Sequence, residues 1–111
     1  MKLDILGTKY DLIIRDPKDD PQLTESCDGY TDNTVKEFVV ADMNAYQGRD
    51  HVNKNLKDYE QQVARHEIIH GFLFESGLDV SCSWATNEEV VDWFAIQMPK
   101  ILKACQEADV I

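Results

Sequence analysis

The spacing of apolar residues changes once along this chain, and that change restricts the fold more than any other feature. Between Leu3 and Ile14 apolar positions recur at every second residue; from about Leu56 they recur at every third or fourth. Period two belongs to a strand with one buried face, and a period near 3.6 belongs to a helix. In "KLDILGTKYDLIIRD", Leu3 and Ile5, then Tyr10, Leu12 and Ile14, alternate with polar residues on either side of Gly7-Thr8, which predicts a β-hairpin. "CDGYTDNTVKEFVVAD" predicts a second hairpin, with a short strand around Tyr30, a turn near Asp32-Asn33 and a strand through Phe38-Val39-Val40. Asp16-Pro17 and Asp20-Pro21 mark residues 16 to 26 as a loop, and the polar residues 42 to 55 around Gly48 read as a surface loop.

Beyond Leu56, the residues Tyr59, Val63, His66 and His70 fall with it on one helix face, while Ile68, Ile69 and Phe72 cover much of the opposite side. A helix apolar on two sides is usually buried between layers. Gly77 is a stop signal for it. Thr86 or Asn87 then caps a last helix whose apolar stripe is Val90, Val91, Phe94, Met98, Ile101, Leu102 and Cys105. Pro99 deprives the Ala95 carbonyl of its donor and is expected to kink or divide this helix. With 111 residues there is no room for a second core. Strands followed by helices predict one α+β domain spanning 1–111. Its parts are a small antiparallel sheet of two hairpins (about 1–41), a loop (42–55), and two helices (about 56–76 and 87–106) packed on one face.

Charge narrows the partners. Twenty-one acidic against 11 basic residues give a net charge of −10, with no basic cluster, so phosphate backbones repel the chain and nucleic acid is excluded as a direct partner. A basic peptide or protein is better matched. Three cysteines, Cys27, Cys82 and Cys105, without paired spacing point to free thiols in a reducing compartment. Asp4 inside the first apolar run argues against a signal peptide, and no apolar stretch approaches a membrane span. The expectation is a soluble cytoplasmic protein.

Two of the chain's three histidines lie in "RHEIIHGFLFESGLD", as His66-Glu67-Ile68-Ile69-His70. A spacing of four puts both imidazoles on one helix face about one turn apart, within reach of one zinc ion. Glu67 projects from the same broad side without being forced into the coordination shell, where a general base must stand to take a proton from metal-bound water. Two histidines at this spacing also serve as partners of surface carboxylates. Placing them in the most apolar helix, however, is costly unless something satisfies them. Catalytic zinc needs a third protein ligand and an open position for water. The next helix opens with Asn87, Glu88 and Asp92 in N-E-x-x-x-D. Glu88 as ligand, with Asp92 accepting from the far nitrogen of a ligating histidine, fits that need. Glu88 and Glu89 also suit a helix N-terminus by charge alone. Glu89 points about 100° away and is the weaker choice.

H-E-x-x-H followed eighteen residues after its second histidine by Glu88 of N-E-x-x-x-D resembles the gluzincin group of zinc metallopeptidases. "EEVVDWFAIQMP" is similar to the E-x-x-A-N-x-F-A-x-x-L-x-x-P segment of ImmA/IrrE-type metallopeptidases, with Glu88 on the third ligand, Asp92 on the family's Asn, and Phe94-Ala95 on its Phe-Ala. The chain also resembles small phage- and prophage-encoded H-E-x-x-H proteins. The similarity covers residues 63 to 99. It implies a minimal zincin-like core with zinc on His66, His70 and Glu88, and a sheet edge, expected at "EFVVAD", that pairs with an extended peptide or protein substrate. No helix-turn-helix domain accompanies it. A non-catalytic, zinc-stabilised interaction domain, such as a phage accessory factor, is the alternative.

Other residues carry plainer readings. His51 reads as a surface residue. Tyr59 reads as a core-edge aromatic with its hydroxyl in water, against polarisation of a substrate carbonyl. Cys82 is read as a spectator rather than a competing thiolate, and Cys27 and Cys105 as small apolar residues. Trp84 and Trp93 are assigned to packing, and Arg65 and Glu75 to solvated helix charges.

Overall fold

The computed structural model describes residues 1–23, 27–45 and 54–111. Strand β1 (Lys2–Ile5) turns into β2 (Thr8–Arg15), and β3 (Gly29–Asp32) turns into β4 (Glu37–Ala41). The first turn places Leu6 and Gly7 at φ 51° and 93°. Two successive positive φ values suit the right-handed twist of the flanking strands, so the hairpin needs only a two-residue loop. In the second turn the Asp32 carboxylate accepts from the Thr34 amide at 2.9 Å.

Both hairpins are therefore antiparallel, but they join through a parallel pair. The strand order is β1-β2-β4-β3, with Leu12 beside Phe38 and Ile14 beside Val40 in parallel register. The sheet is mixed, not wholly antiparallel, and the reason lies in β4. Phe38, Val39, Val40 and Ala41 are all fully buried, so this strand is apolar on both faces and needs neighbours on both sides. The polar strand β3, GYTD, takes the edge instead. The edge expected at "EFVVAD" is thus an interior strand.

One face of the sheet carries helix α1 (Leu56–Glu75), which the Asn55 side chain caps by accepting from the Asp58 amide. Tyr10 stacks on Phe38 at 4.6 Å between ring centres beneath this helix. Two glycines let the layers close. A Cβ on Gly71 would lie 2.4 Å from Phe38 Cζ, and one on Gly29 would lie 2.7 Å from Val63 Cγ1. At the far end of α1, Glu75 accepts from Tyr10 at 2.7 Å, from Thr8 at 2.9 Å and from Lys36 at 3.1 Å. These donors, the tyrosine first, hold its carboxyl below the usual range. Glu75 is a structural anchor rather than a solvated charge. Tyr30, Asp20 and Arg15 form a second polar cluster: Asp20 accepts from Tyr30 and from Arg15 Nη1, the latter at 2.9 Å. Burial and the Asp20 carboxylate push the Tyr30 hydroxyl up to about 12.

Ser76 ends α1, and Gly77, at φ 81°, turns the chain into the short helix α2 (Leu78–Ser81) and a 3-10 turn (Ser83–Thr86). Both lie between the two expected helices, about 56–76 and 87–106. Asn87 is the N-cap of α3 (Glu88–Glu107), its side chain accepting from the Val90 amide. Helix α3 packs on α1 and runs through Pro99 as one element, so of the expected kink or division the division does not occur. The carbonyl that Pro99 leaves without its donor, Ala95 O, accepts instead from Arg65 Nε of α1 at 2.6 Å. Arg65 is therefore a fastener between the two helices, not a solvated charge. Arg65→Ala is expected to cost about 1–2 kcal/mol in urea unfolding. In a Pro99→Ala background, where residue 99 can donate its own amide, the cost should shrink by at least half. An equal cost in both backgrounds would detach the arginine from the proline.

Val91 and Ala95 are the only buried residues of α3, and nothing from Ile96 to Ile111 is buried. The expected apolar stripe thus exists but is only partly covered. Among the described residues, no helix is long and apolar enough to cross a membrane.

Candidate metal centre

The third and fourth turns of α1 present His66 and His70 toward the first turn of α3. Their side chains are 15 % and 19 % exposed, and their rings meet edge to face at 4.9 Å. Glu88 reaches across with both oxygens: Oε2 lies 2.8 Å from His66 Nε2 and Oε1 lies 3.0 Å from His70 Nε2. The two Nε2 atoms are 3.2 Å apart. One donor atom from each residue falls within 4.8 Å of the others, a set able to hold a metal ion.

Elementary geometry tests the fit. Zinc bonds of about 2.0–2.1 Å in a tetrahedron put neighbouring ligand atoms about 3.3 Å apart. The separations of 2.8, 3.0 and 3.2 Å are close to that spacing. Two imidazole nitrogens that face each other also need a proton or a cation between them, since two lone pairs repel. His66 Nδ1 stands 3.2 Å from Asp92 Oδ1. An ionised carboxylate only accepts, so it keeps the proton on Nδ1 and leaves the Nε2 lone pair facing the centre. The donor set suits zinc chemically, although the same nitrogens and oxygens serve other divalent metals.

Glu67 lies beneath this group, 6 % exposed. Burial raises its carboxyl above the ordinary range, and the neighbouring histidines and Thr31 offset this only in part. Thr31 Oγ1 on β3 is 2.9 Å from Glu67 Oε1 and 3.1 Å from its backbone carbonyl, which fixes the direction of the side chain. Thr31 is the residue at the site that the sequence pattern did not single out. Gly29 and Thr31 are two residues apart and so share one face of the strand; that periodicity was the available signal.

The centre opens into a cleft on both sides. One cavity of about 360 Å³ is bordered by Asn33, Asp79 and Thr86, and another of about 350 Å³ by Cys27, Tyr59 and Gln62. Gly29, His66, Glu67 and Glu88 line both. Glu88, with 69 % of its side chain exposed, is the most exposed of the three candidate ligands. The residues expected at the site, His66, Glu67, His70, Glu88 and Asp92, are thus brought together. Of the others, Tyr59 donates to the Asp28 carboxylate rather than to water alone. Cys82 is outside the ligand set and neighbours Ser81 Oγ at 3.8 Å. His51 lies outside the described residues.

Neither a protein-family model, nor a curated protein sequence, nor a solved structure matches this chain.

Proposed function

We propose that this protein is a zinc-dependent metallopeptidase of the H-E-x-x-H, gluzincin-like kind, acting on peptides in the cytoplasm. The observation that carries the reading is the convergence of His66 Nε2, His70 Nε2 and Glu88 within 4.8 Å, with a buried carboxylate, Glu67, beside them and a cleft on either side. His66, His70 and Glu88 would hold the metal. A zinc ion bound there supplies a Lewis acid and a water that ionises near neutral pH. Glu67 would take the proton of the attacking water and return it to the leaving amine. Thr31 orients that carboxylate, and Asp92 holds His66 in the tautomer that leaves Nε2 free.

Substrate access is supported by the place of β3 at the sheet edge, pairing among the described residues only with β4, with Gly29, Tyr30 and Thr31 bordering the cleft. An extended peptide can add to such an edge by main-chain hydrogen bonds. Three free cysteines are consistent with a reducing compartment.

Metal analysis tests the reading. The chain purified without chelators should carry about one zinc, and His70→Ala or Glu88→Ala should carry far less, because a two-ligand remnant holds zinc weakly. Wild-type protein that neither retains nor takes up zinc would end the proposal.

A further inference from the structure

The two cavities beside the metal centre are not equivalent, and the difference bears on which peptide can lodge there. Apart from His66, Glu67, His70 and Glu88, the one of about 360 Å³ is lined by Gly29, Tyr30, Thr31, Asn33, Asp79 and Thr86. No aliphatic side chain is among them, so the space is a poor match for a large apolar residue. Among the described residues no Lys or Arg lines it either, so an acidic side chain would enter without a counter-charge.

Each of the other polar side chains that border this cavity already makes a hydrogen bond within the protein. The hydroxyls of Tyr30, Thr31 and Thr86 donate to Asp20, to Glu67 and to the Ser83 carbonyl, and Asn33 Oδ1 accepts from Tyr10. Asp79 differs. It is partly buried in α2, and among the described residues its side chain has neither a hydrogen bond nor an ion pair. It also stands outside the set of residues able to share a metal ion. In the cavity of about 350 Å³ the flanking carboxylates are engaged, Asp28 accepting from Tyr59 and Asp92 lying 3.2 Å from His66 Nδ1.

We propose that the larger cavity takes a lysine or arginine side chain of a bound peptide, with Asp79 as its counter-charge. This rests on the hydrolytic reading above and names its substrate class. A cation entering there replaces water on Asp79 with a charge-assisted hydrogen bond, which arginine can make through two N–H groups at once. The cavity also touches His70, Glu67 and Glu88, so the lodged side chain belongs to a residue beside the bond under attack. Gly29, Tyr30 and Thr31 of the edge strand border the same space, within reach of that peptide's main chain. The net charge of −10 draws basic peptides toward the chain, although screening confines this pull to about 8 Å at physiological ionic strength. Asp79 is thus a specificity-determining residue that neither holds the metal nor moves a proton.

Peptide binding tests this apart from hydrolysis. Zinc-loaded Glu67→Gln protein should bind a labelled lysine-containing peptide roughly tenfold or more tightly, by fluorescence anisotropy, than the same peptide with glutamate in place of lysine. Adding Asp79→Asn should remove that advantage, and adding Asp79→Lys should reverse it. With the wild type, mass spectrometry of a digested peptide library should place lysine or arginine beside the cleaved bonds, and Asp79→Lys should shift the preference to acidic residues. Zinc content and circular dichroism check that each variant keeps its metal and its helices. Equal binding of the two peptides overturns the proposal, as does a preference that survives Asp79→Lys; cleavage without regard to charge does the same and leaves the hydrolytic reading standing. A zinc-loaded wild type that cleaves nothing fails the hydrolytic reading, while the binding comparison still decides the role of Asp79.

Discussion

Glu67→Gln should lower peptide hydrolysis by roughly 10²- to 10⁴-fold while leaving zinc content unchanged. Glutamine keeps the shape of the side chain and an oxygen that still accepts from Thr31, but it cannot take up a proton. The amide fills the same volume and keeps the Thr31 contact, so the melting temperature should change little. Lost activity with intact metal and fold assigns Glu67 to proton transfer. Full activity in the glutamine variant removes the base from the scheme. If the wild type binds zinc and cleaves no peptide, the chain is a zinc-stabilised interaction domain. The assay has three readouts: hydrolysis of a peptide library, zinc by elemental analysis, and thermal melting.

A single methyl group on α1 should instead do its damage to stability. Gly71→Ala places a Cβ 2.4 Å from Phe38 Cζ and 2.6 Å from Cε1, well inside van der Waals contact. The phenyl ring cannot swing away, because Tyr10 stacks on its face at 4.6 Å and both rings are fully buried. The helix must lift instead. Overpacking of this kind costs about 1–3 kcal/mol, and the rigidity of the ring pair argues for the upper end. For a domain of this size that is a drop in Tm of roughly 10 °C or more. Zinc affinity should fall with it, since His70 precedes Gly71 and moves with the helix. Phe38→Leu in the same chain should return part of the loss by making room. A Gly71→Ala protein as stable as the parent would mean that α1 does not sit on Phe38 at this distance.

The parts of the molecule that could be read from residue order are those whose cause is local. The switch from period two to period 3.6 is a property of neighbours, so both hairpins and both long helices fall within a few residues of where patterning puts them. Asn87 as cap and Gly77 as terminator are likewise matters of one or two turns of chain. His66 and His70 share a face by helix geometry alone, and Glu88 and Asp92 follow as candidates because the next helix is the natural place to look for a third ligand.

The remainder was decided between residues far apart in the chain, where spacing carries no information. Thr31 meets Glu67 across 36 positions and Arg65 meets Ala95 across 30. Each looks like an ordinary polar residue until the helix is docked. Pro99 was legible as a lost hydrogen bond, yet what happened to the freed carbonyl depended on which cation stood opposite it. The parallel pairing of β2 with β4 had a trace in the four consecutive apolar residues Phe38 to Ala41, but two-sided burial becomes a fact only when neighbours occupy both faces. Residue order therefore determined which elements form and which side chains were available for a metal. Only tertiary packing decided which strand became the edge and which threonine holds the buried acid, because those choices are settled by the fit of whole surfaces.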